Sequence, residues 1–163
     1  MLARRTGLLV ALATLAGCGF ELRRAPELKF QTVQLKGFAP KSPLASELMR
    51  SIAASRATQV VETAALAQVV LEALADEREK SVVASTASGE VRELQLRARL
   101  SFRLRGVGGK ELIPATEILL SRDMTYNETN ALAKEQEEAL LYKAMQSDIV
   151  AQLMRRLAAV QAL

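Results

Sequence analysis

Between Leu94 and Leu104 every even position is apolar (Leu94, Leu96, Ala98, Leu100, Phe102, Leu104), while the odd positions are Gln95, Arg97, Arg99, Ser101 and Arg103. A period of two sustained this long fits a β-strand with one face in a core and the other in water, because successive strand side chains point to opposite sides. A chain that holds this segment must contain a sheet covered on one face. The C-terminal segment indicates what covers it. From about Asn130 to Ala159 there is neither Gly nor Pro, and Leu141, Met145, Ile149, Leu153, Leu157 and Val160 recur at steps of four and three. That spacing predicts one amphipathic helix roughly 45 Å long, at about 1.5 Å per residue.

The other elements fall around these two. Phe30 to Lys36 reads as a first strand, closed by Gly37 and Pro40. Ser42-Pro43 is a helix start, with serine as N-cap and proline at the first helical position, where its fixed φ fits and its missing N–H is not needed. A helix of about 13 residues is predicted there, with Leu44, Leu48, Met49 and Ile52 on its apolar face. Thr58 to Glu62 is rich in β-branched residues and admits either a strand or a connection. Val69, Leu71, Ala73 and Ala75 alternate on odd numbers, whereas Val82 and Ala84 fall on even ones. The change of phase predicts a bulge or turn around Glu77 to Lys80 and leaves open one long bent strand or two short ones. Ser88-Gly89 and Gly106 to Gly109 read as turns, and Ile118, Leu120, Met124 and Tyr126 mark a further strand whose start is obscured by Pro114. This strand and the Leu94–Leu104 segment are expected to pair antiparallel. The fold class expected is α+β, a mixed and mainly antiparallel sheet of about four strands with two helices packed on one face.

At the N-terminus, Arg4 and Arg5 precede an apolar run from Leu8 to Leu15 that is too short to span a membrane stably, followed by the small residues Ala16-Gly17. This pattern predicts a signal peptide. The run Leu15-Ala16-Gly17-Cys18 resembles the bacterial lipobox, which implies acylation of the Cys18 thiol and a mature chain starting there. Gly19, not aspartate, follows the cysteine, and by resemblance to lipoprotein sorting rules this implies transfer to the outer membrane. The expected organisation is a leader over 1–17, a lipidated tether over 18–28 and a single domain over 29–163. Without the leader's two arginines, 20 of the 22 basic residues face 18 acidic ones, so any basic site must be local.

The chain has no histidine, and Cys18 is its sole cysteine. Ser-His and Cys-His catalysis and the common zinc sites are thereby removed, and an acylated thioether neither attacks nor ligates. No catalytic residue, metal or cofactor is expected apart from the covalent lipid on Cys18. Arg97, Arg99, Arg103 and Arg105 share one strand face with Glu93, Gln95 and Ser101. Guanidinium forks suit phosphate and carboxylate oxygens, so this stripe is a candidate surface for a phosphorylated glycolipid or an acidic protein wall; the bland alternative is a solvated strand face. Nucleic acid is excluded by compartment and by the scarcity of aromatic residues. Glu135, Glu137 and Glu138, beside Lys134 and Lys143, are expected on the exposed side of the long helix, opposite Leu141 and Met145. The serines of Ser81 to Ser88 near Lys80 lack the spacing of a Ser-Lys dyad.

Cys18-Gly19-Phe20-Glu21-Leu22-Arg23, Ser42-Pro43-Leu44, Ala131-Leu132-Ala133-Lys134-Glu135, Glu138, Met145 and Gln152-Leu153-Met154-Arg155-Arg156-Leu157 together resemble the LptE family of LPS-assembly lipoproteins. The resemblance covers nearly the whole mature chain in element order. It implies a mixed sheet with two helices and no enzymatic activity. It also implies a place as plug in the lumen of the LptD β-barrel, with a part in barrel folding and in lipopolysaccharide insertion into the outer leaflet. By motif, Lys134 falls where the family has a basic residue implicated in lipopolysaccharide contact, and the Ser88-Gly89 turn with Arg92 matches the other suspected contact region. Ala87-Ser88 offers no cation before that glycine, a departure from the family pattern. A second reading keeps the lipid anchor but makes the chain a structural lipoprotein auxiliary of another envelope transport complex, and fractionation with inner-membrane partners would mark it. A third, a lipid-anchored hydrolase, requires a deep pocket with perturbed carboxyl groups.

Overall fold

A computed structural model describes residues 26–161; the leader and Cys18 lie outside the described residues. The chain runs β1 (Thr32–Lys36), α1 (Pro43–Ala54), β2 (Gln59–Val61), β3 (Val69–Ser85), β4 (Val91–Gly106), β5 (Glu111–Thr125) and α2 (Ala131–Ala158). The strands form one sheet in the order β2-β1-β3-β4-β5. β1 is parallel to both its neighbours, and β3, β4 and β5 make an antiparallel meander. The expected α+β class holds with a fifth strand added, because Gln59–Val61 pairs with Thr32 to Gln34 at the sheet edge. Three residues are too short to show a period, so pairing alone reveals this strand.

β4 lies between two long partners, and its even side chains are the floor of the core. Leu96, Leu100, Phe102 and Leu104 are wholly buried. Both helices cover that face, α1 through Leu44, Leu48 and Ile52, and α2 through Met145, Ile149, Leu153 and Leu157. Ser42 caps α1 by accepting from the Ala45 amide, with Pro43 in the first turn. Met49, expected on the inner face, is 42% exposed; it follows Leu48 by about 100° around the helix and points away from the sheet. Tyr142, Gln146, Val150 and Met154 widen the buried face of α2.

The phase change in β3 is real, but its position differs from the expectation. Ala73 opposes Phe102 and Ala75 opposes Ser101, so Leu74 is an extra residue; Val83 is a second one further on, and none falls within Glu77 to Lys80. β3 is one continuous strand that switches sides at the Leu74 bulge. Before it Val69, Leu71 and Ala73 are buried; after it Asp76, Arg78 and Lys80 oppose Leu100, Ala98 and Leu96 and take the helix face. Pro114 falls in a similar irregularity of β5, between the pairs Phe102–Thr116 and Leu104–Ile113. An edge strand tolerates this because no ladder hydrogen bond is lost. The pairing of β1 with β3 ends at Lys36 and Glu72, so beyond that point, among the described residues, β3 is bordered by β4 alone.

Where β1 leaves the sheet, Gly37 has φ +81°, and a Cβ there would stand 2.2 Å from the Ala73 carbonyl oxygen. Gly89 has a similar φ of +86° with nothing within 4 Å of a Cβ. The left-handed backbone alone costs an alanine about 1 kcal/mol. Gly89→Ala is therefore expected to lower unfolding free energy by about 1 kcal/mol, and Gly37→Ala by about 3 kcal/mol or more, since β3 backbone must also shift. Urea denaturation of the two variants measures the difference; equal losses would show that the Ala73 contact does not matter.

Candidate functional site

β3, β4 and β5 are long and paired along most of their length, so the sheet has two ends. At one, the β3–β4 turn meets the β5–α2 junction. Thr86 organises the turn: its hydroxyl accepts from the Glu90 amide at 3.1 Å, and its amide donates to the Glu90 carbonyl at 2.9 Å. Gly89 supplies the positive φ. Arg92, the second residue of β4, reaches Glu90 at 3.2 Å, and both side chains are more than half exposed. Its carbonyl accepts from the Tyr126 amide at 2.8 Å, which ties the turn to the junction where the Asn127 side chain accepts from the Thr129 amide. Between them lies a polar recess of about 270 Å³ lined by Glu90, Val91, Arg92, Asn127, Glu128 and Thr129.

Lys134 is at the same end. Its ammonium donates to Thr125 Oγ1 at 3.1 Å and to Glu137 Oε2 at 2.8 Å, and Thr125 opposes Glu93, the neighbour of Arg92. The structure thus brings Arg92 and Lys134 to one end, each held by an acidic neighbour. Glu138 is not on the exposed side as expected. It is half-buried beside β3 and pairs with Lys80 at 2.9 Å, because the Leu74 bulge turns Lys80 toward α2. This partner raises the Lys80 pKa, through the hydrogen bond to Glu138 first.

Below this pair, a polar seam runs between β3 and the helices. Arg78 donates to Gln146 Oε1 at 2.8 Å and lies over the Tyr142 ring, 5.3 Å from its centroid. The Tyr142 hydroxyl donates to the Glu79 carbonyl, and Gln146 donates to Glu47 on α1 at 2.6 Å. Ser42 donates to Asp76 at 2.8 Å. Burial pushes the Tyr142 pKa up. The sequence marks Ser42 only as a cap and Arg78 and Glu79 only as part of a bulge or turn, and none of these residues as members of a polar seam; an Asp-x-Arg-x-Lys run on the core phase of a strand is the available signal.

The remaining candidates, Arg97, Arg99, Arg103 and Arg105, lie on the outer sheet face, as the alternation implied. They do not form a bare cationic stripe. Arg99 pairs with Glu77 and, at 3.7 Å, with Glu117; Arg103 pairs with Glu72 at 2.7 Å; Arg97 donates to Gln95 at 2.8 Å. The acidic partners sit on the flanking strands and were invisible until β3 and β5 were in register. Glu77 raises the Arg99 pKa further. Arg105 is near the opposite end, against the Gly106–Gly109 turn. Among the described residues no group of His, Cys, Asp and Glu could hold a metal ion, and no helix is long and apolar enough to cross a membrane.

A family model described as LptE, lipopolysaccharide-assembly, matches residues 30–157. Among solved structures, the chain is similar to the uncharacterized lipoprotein B from Nitrosomonas europaea, 35% identical, with a TM-score of 0.72 over 86% of this chain and 91% of that one. The rare lipoprotein B from Shewanella oneidensis shares the fold at 23% identity and a TM-score of 0.65, over 79% and 95% of the two chains. A minor lipoprotein from Acinetobacter baumannii shares it at 17% identity and a TM-score of 0.63, over 81% and 93%. No curated protein matches the chain.

The outer-face pairs have a titration signature. The Arg103 hydrogen bond holds the Glu72 carboxyl below its ordinary pKa, aided by the charges of Arg103, Lys36 and Arg105. A carboxyl depressed on folding stabilises the fold above its unfolded pKa, and that contribution disappears as pH falls through the folded value. Carbon-detected NMR titration should find Glu72 among the most acidic glutamates, and Arg103→Gln should return it toward the ordinary range. A Glu72 value unmoved by the substitution would refute the pairing.

Proposed function

The chain belongs to the LptE lipopolysaccharide-assembly family, and on that premise we propose that it acts by binding and not by catalysis. In this reading acyl chains on Cys18 hold it to the outer membrane, facing the periplasm. The domain sits as a plug in the lumen of an LptD-type β-barrel and assists its assembly, and the end carrying Arg92 and Lys134 contacts lipopolysaccharide during insertion into the outer leaflet. More than one acyl chain is needed for a stable anchor, since each buried methylene contributes only about 0.8 kcal/mol.

The observation that carries the reading is that Arg92, which lines a polar recess, and Lys134, bonded to Thr125 opposite Glu93, lie at the same end of the molecule. An ion pair as exposed as Arg92–Glu90 is worth roughly 0–1 kcal/mol, so exchanging the carboxylate for a glycolipid phosphate costs little, and the guanidinium fork can engage two phosphate oxygens. The middle of the outer sheet face also suits a hydrated lumen, because Arg99 and Arg103 are matched there by Glu77, Glu117 and Glu72 and present polar atoms without a strong local field.

Combining Arg92→Glu with Lys134→Glu is expected to weaken lipopolysaccharide binding by the purified chain about tenfold, near the loss of one charge-assisted hydrogen bond. Unchanged affinity would move the contact to another surface. Affinity purification of the tagged chain from detergent-solubilised outer membranes should retain a large β-barrel in equal amount. Recovery with inner-membrane components instead would overturn the plug reading in favour of another envelope complex.

A further inference from the structure

The end opposite Arg92 and Lys134 holds a second recess. Thr32 pairs with Gln59, and Val33 with Val69, itself opposite Gly106, so the start of β1 and the Gly106–Gly109 turn share this end. On the outer face here, Gln34, Val70 and Arg105 form one row across three strands, and Lys36 and Glu72 begin the next. The connection through Ala64, Ala65 and Ala67 makes one wall, and the glycine turn makes the other, enclosing about 400 Å³. Substituent positions on Gly108 and Gly109 meet nothing within 4 Å, so this wall is open backbone.

The charges in the groove are unequal. Glu72 is engaged by Arg103, whereas neither Lys36 nor Arg105 takes part in an ion pair or side-chain hydrogen bond among the described residues. Glu111, opposite Arg105 on β5, lines a different hollow with Lys110 and Arg156. Two uncommitted cations thus flank a groove with an alanine wall, and the adjacent Leu66 is 67% exposed. Cationic and apolar surface side by side suits the phosphate and glycerol region of a lipid.

The position of this groove selects the source. The described chain enters beside it, where the Gln31 amide donates to the Gln68 side chain at 2.6 Å, and Gln68 lines the groove. From Cys18 to Pro26 the polypeptide spans at most roughly 28 Å, so an acylated Cys18 keeps this end near its own leaflet. Resting on the lipid-anchor reading, we propose that the groove between Lys36 and Arg105 binds the headgroup phosphate of an anionic phospholipid in that leaflet, which fixes the orientation of the domain on the membrane.

The full chain in dodecyl maltoside would be titrated with dihexanoyl phosphatidylglycerol, dihexanoyl phosphatidylcholine and inorganic phosphate, reading the acetylation rate of Lys36 against that of Lys143. Phosphatidylglycerol should protect Lys36 saturably and leave Lys143 unchanged. Arg105→Gln should raise the half-protecting concentration about fivefold, the usual factor for one basic residue at an anionic lipid surface, whereas Arg50→Gln on α1 should not move it. Absence of protection, or equal protection by phosphatidylcholine, would overturn the site. Equal protection by inorganic phosphate would overturn the lipid assignment. Intact mass of the same preparation reports acylation of Cys18 separately, and because the short-chain lipid reaches the groove in either case, the anchor and the groove fail independently.

Discussion

A single extra residue in β3 sets much of the architecture. Without the bulge at Leu74, the odd positions that bury Val69, Leu71 and Ala73 would carry Glu77 and Glu79 beneath α2, and Asp76, Arg78 and Lys80 would face water. With it, the strand offers an acid, Asp76, to the Ser42 cap of α1 and two bases, Arg78 and Lys80, to α2. A buried polar group without a partner costs about 1–3 kcal/mol, so this seam is tolerable only if it is complete. Among the described residues no buried side-chain nitrogen or oxygen lacks a partner. Gln146 accepts from Arg78 and donates to Glu47, which joins β3, α2 and α1 through one side chain.

Where one physical rule dominated, the sequence was readable. The alternation of Leu94 to Leu104 and the Gly- and Pro-free C-terminal segment each gave the element, its extent and its buried face, because burial imposes a period on long segments. Ser42-Pro43 located a helix start because capping chemistry is local. The edge strand Gln59–Val61 has no signature of its own in the sequence, since a three-residue strand exists by virtue of its partner. The alternation betrays the bulge but puts it too late: Ala75 continues the odd alternation by chance, so the pattern breaks after the backbone does. Arg92 and Lys134 could be named but not brought to one end without the β4–β5 register. The acids that neutralise Arg99 and Arg103 come from neighbouring strands and needed it too.

The meander also fixes a distance. β4 runs the length of the sheet, and its residues from Val91 to Gly106 extend roughly 50 Å at about 3.4 Å per residue. That is comparable to a bilayer with its headgroup regions, about 40–45 Å. One rigid element therefore separates the end entered by the tether from the end bearing Arg92 and Lys134. In the function proposed for this family member, a domain held at one leaflet has the reach to act at the other without moving.

Among the described residues, the part of β3 beyond Glu72 has a strand on one side only, which exposes a row of backbone donors and acceptors to any other extended chain. Such an edge is a template for runaway strand addition. Here it reads Asp76-Glu77-Arg78-Glu79-Lys80, the Leu74 bulge distorts its lower end, and the Tyr142 hydroxyl already occupies the Glu79 carbonyl. An incoming strand would meet Glu77 and Glu79 on one face and Asp76, Arg78 and Lys80 on the other, and would have to displace a side chain fixed by α2. On the function proposed above, such an edge keeps the chain from pairing with its own copies before it meets its partner, through the residues that also tie the sheet to its helices.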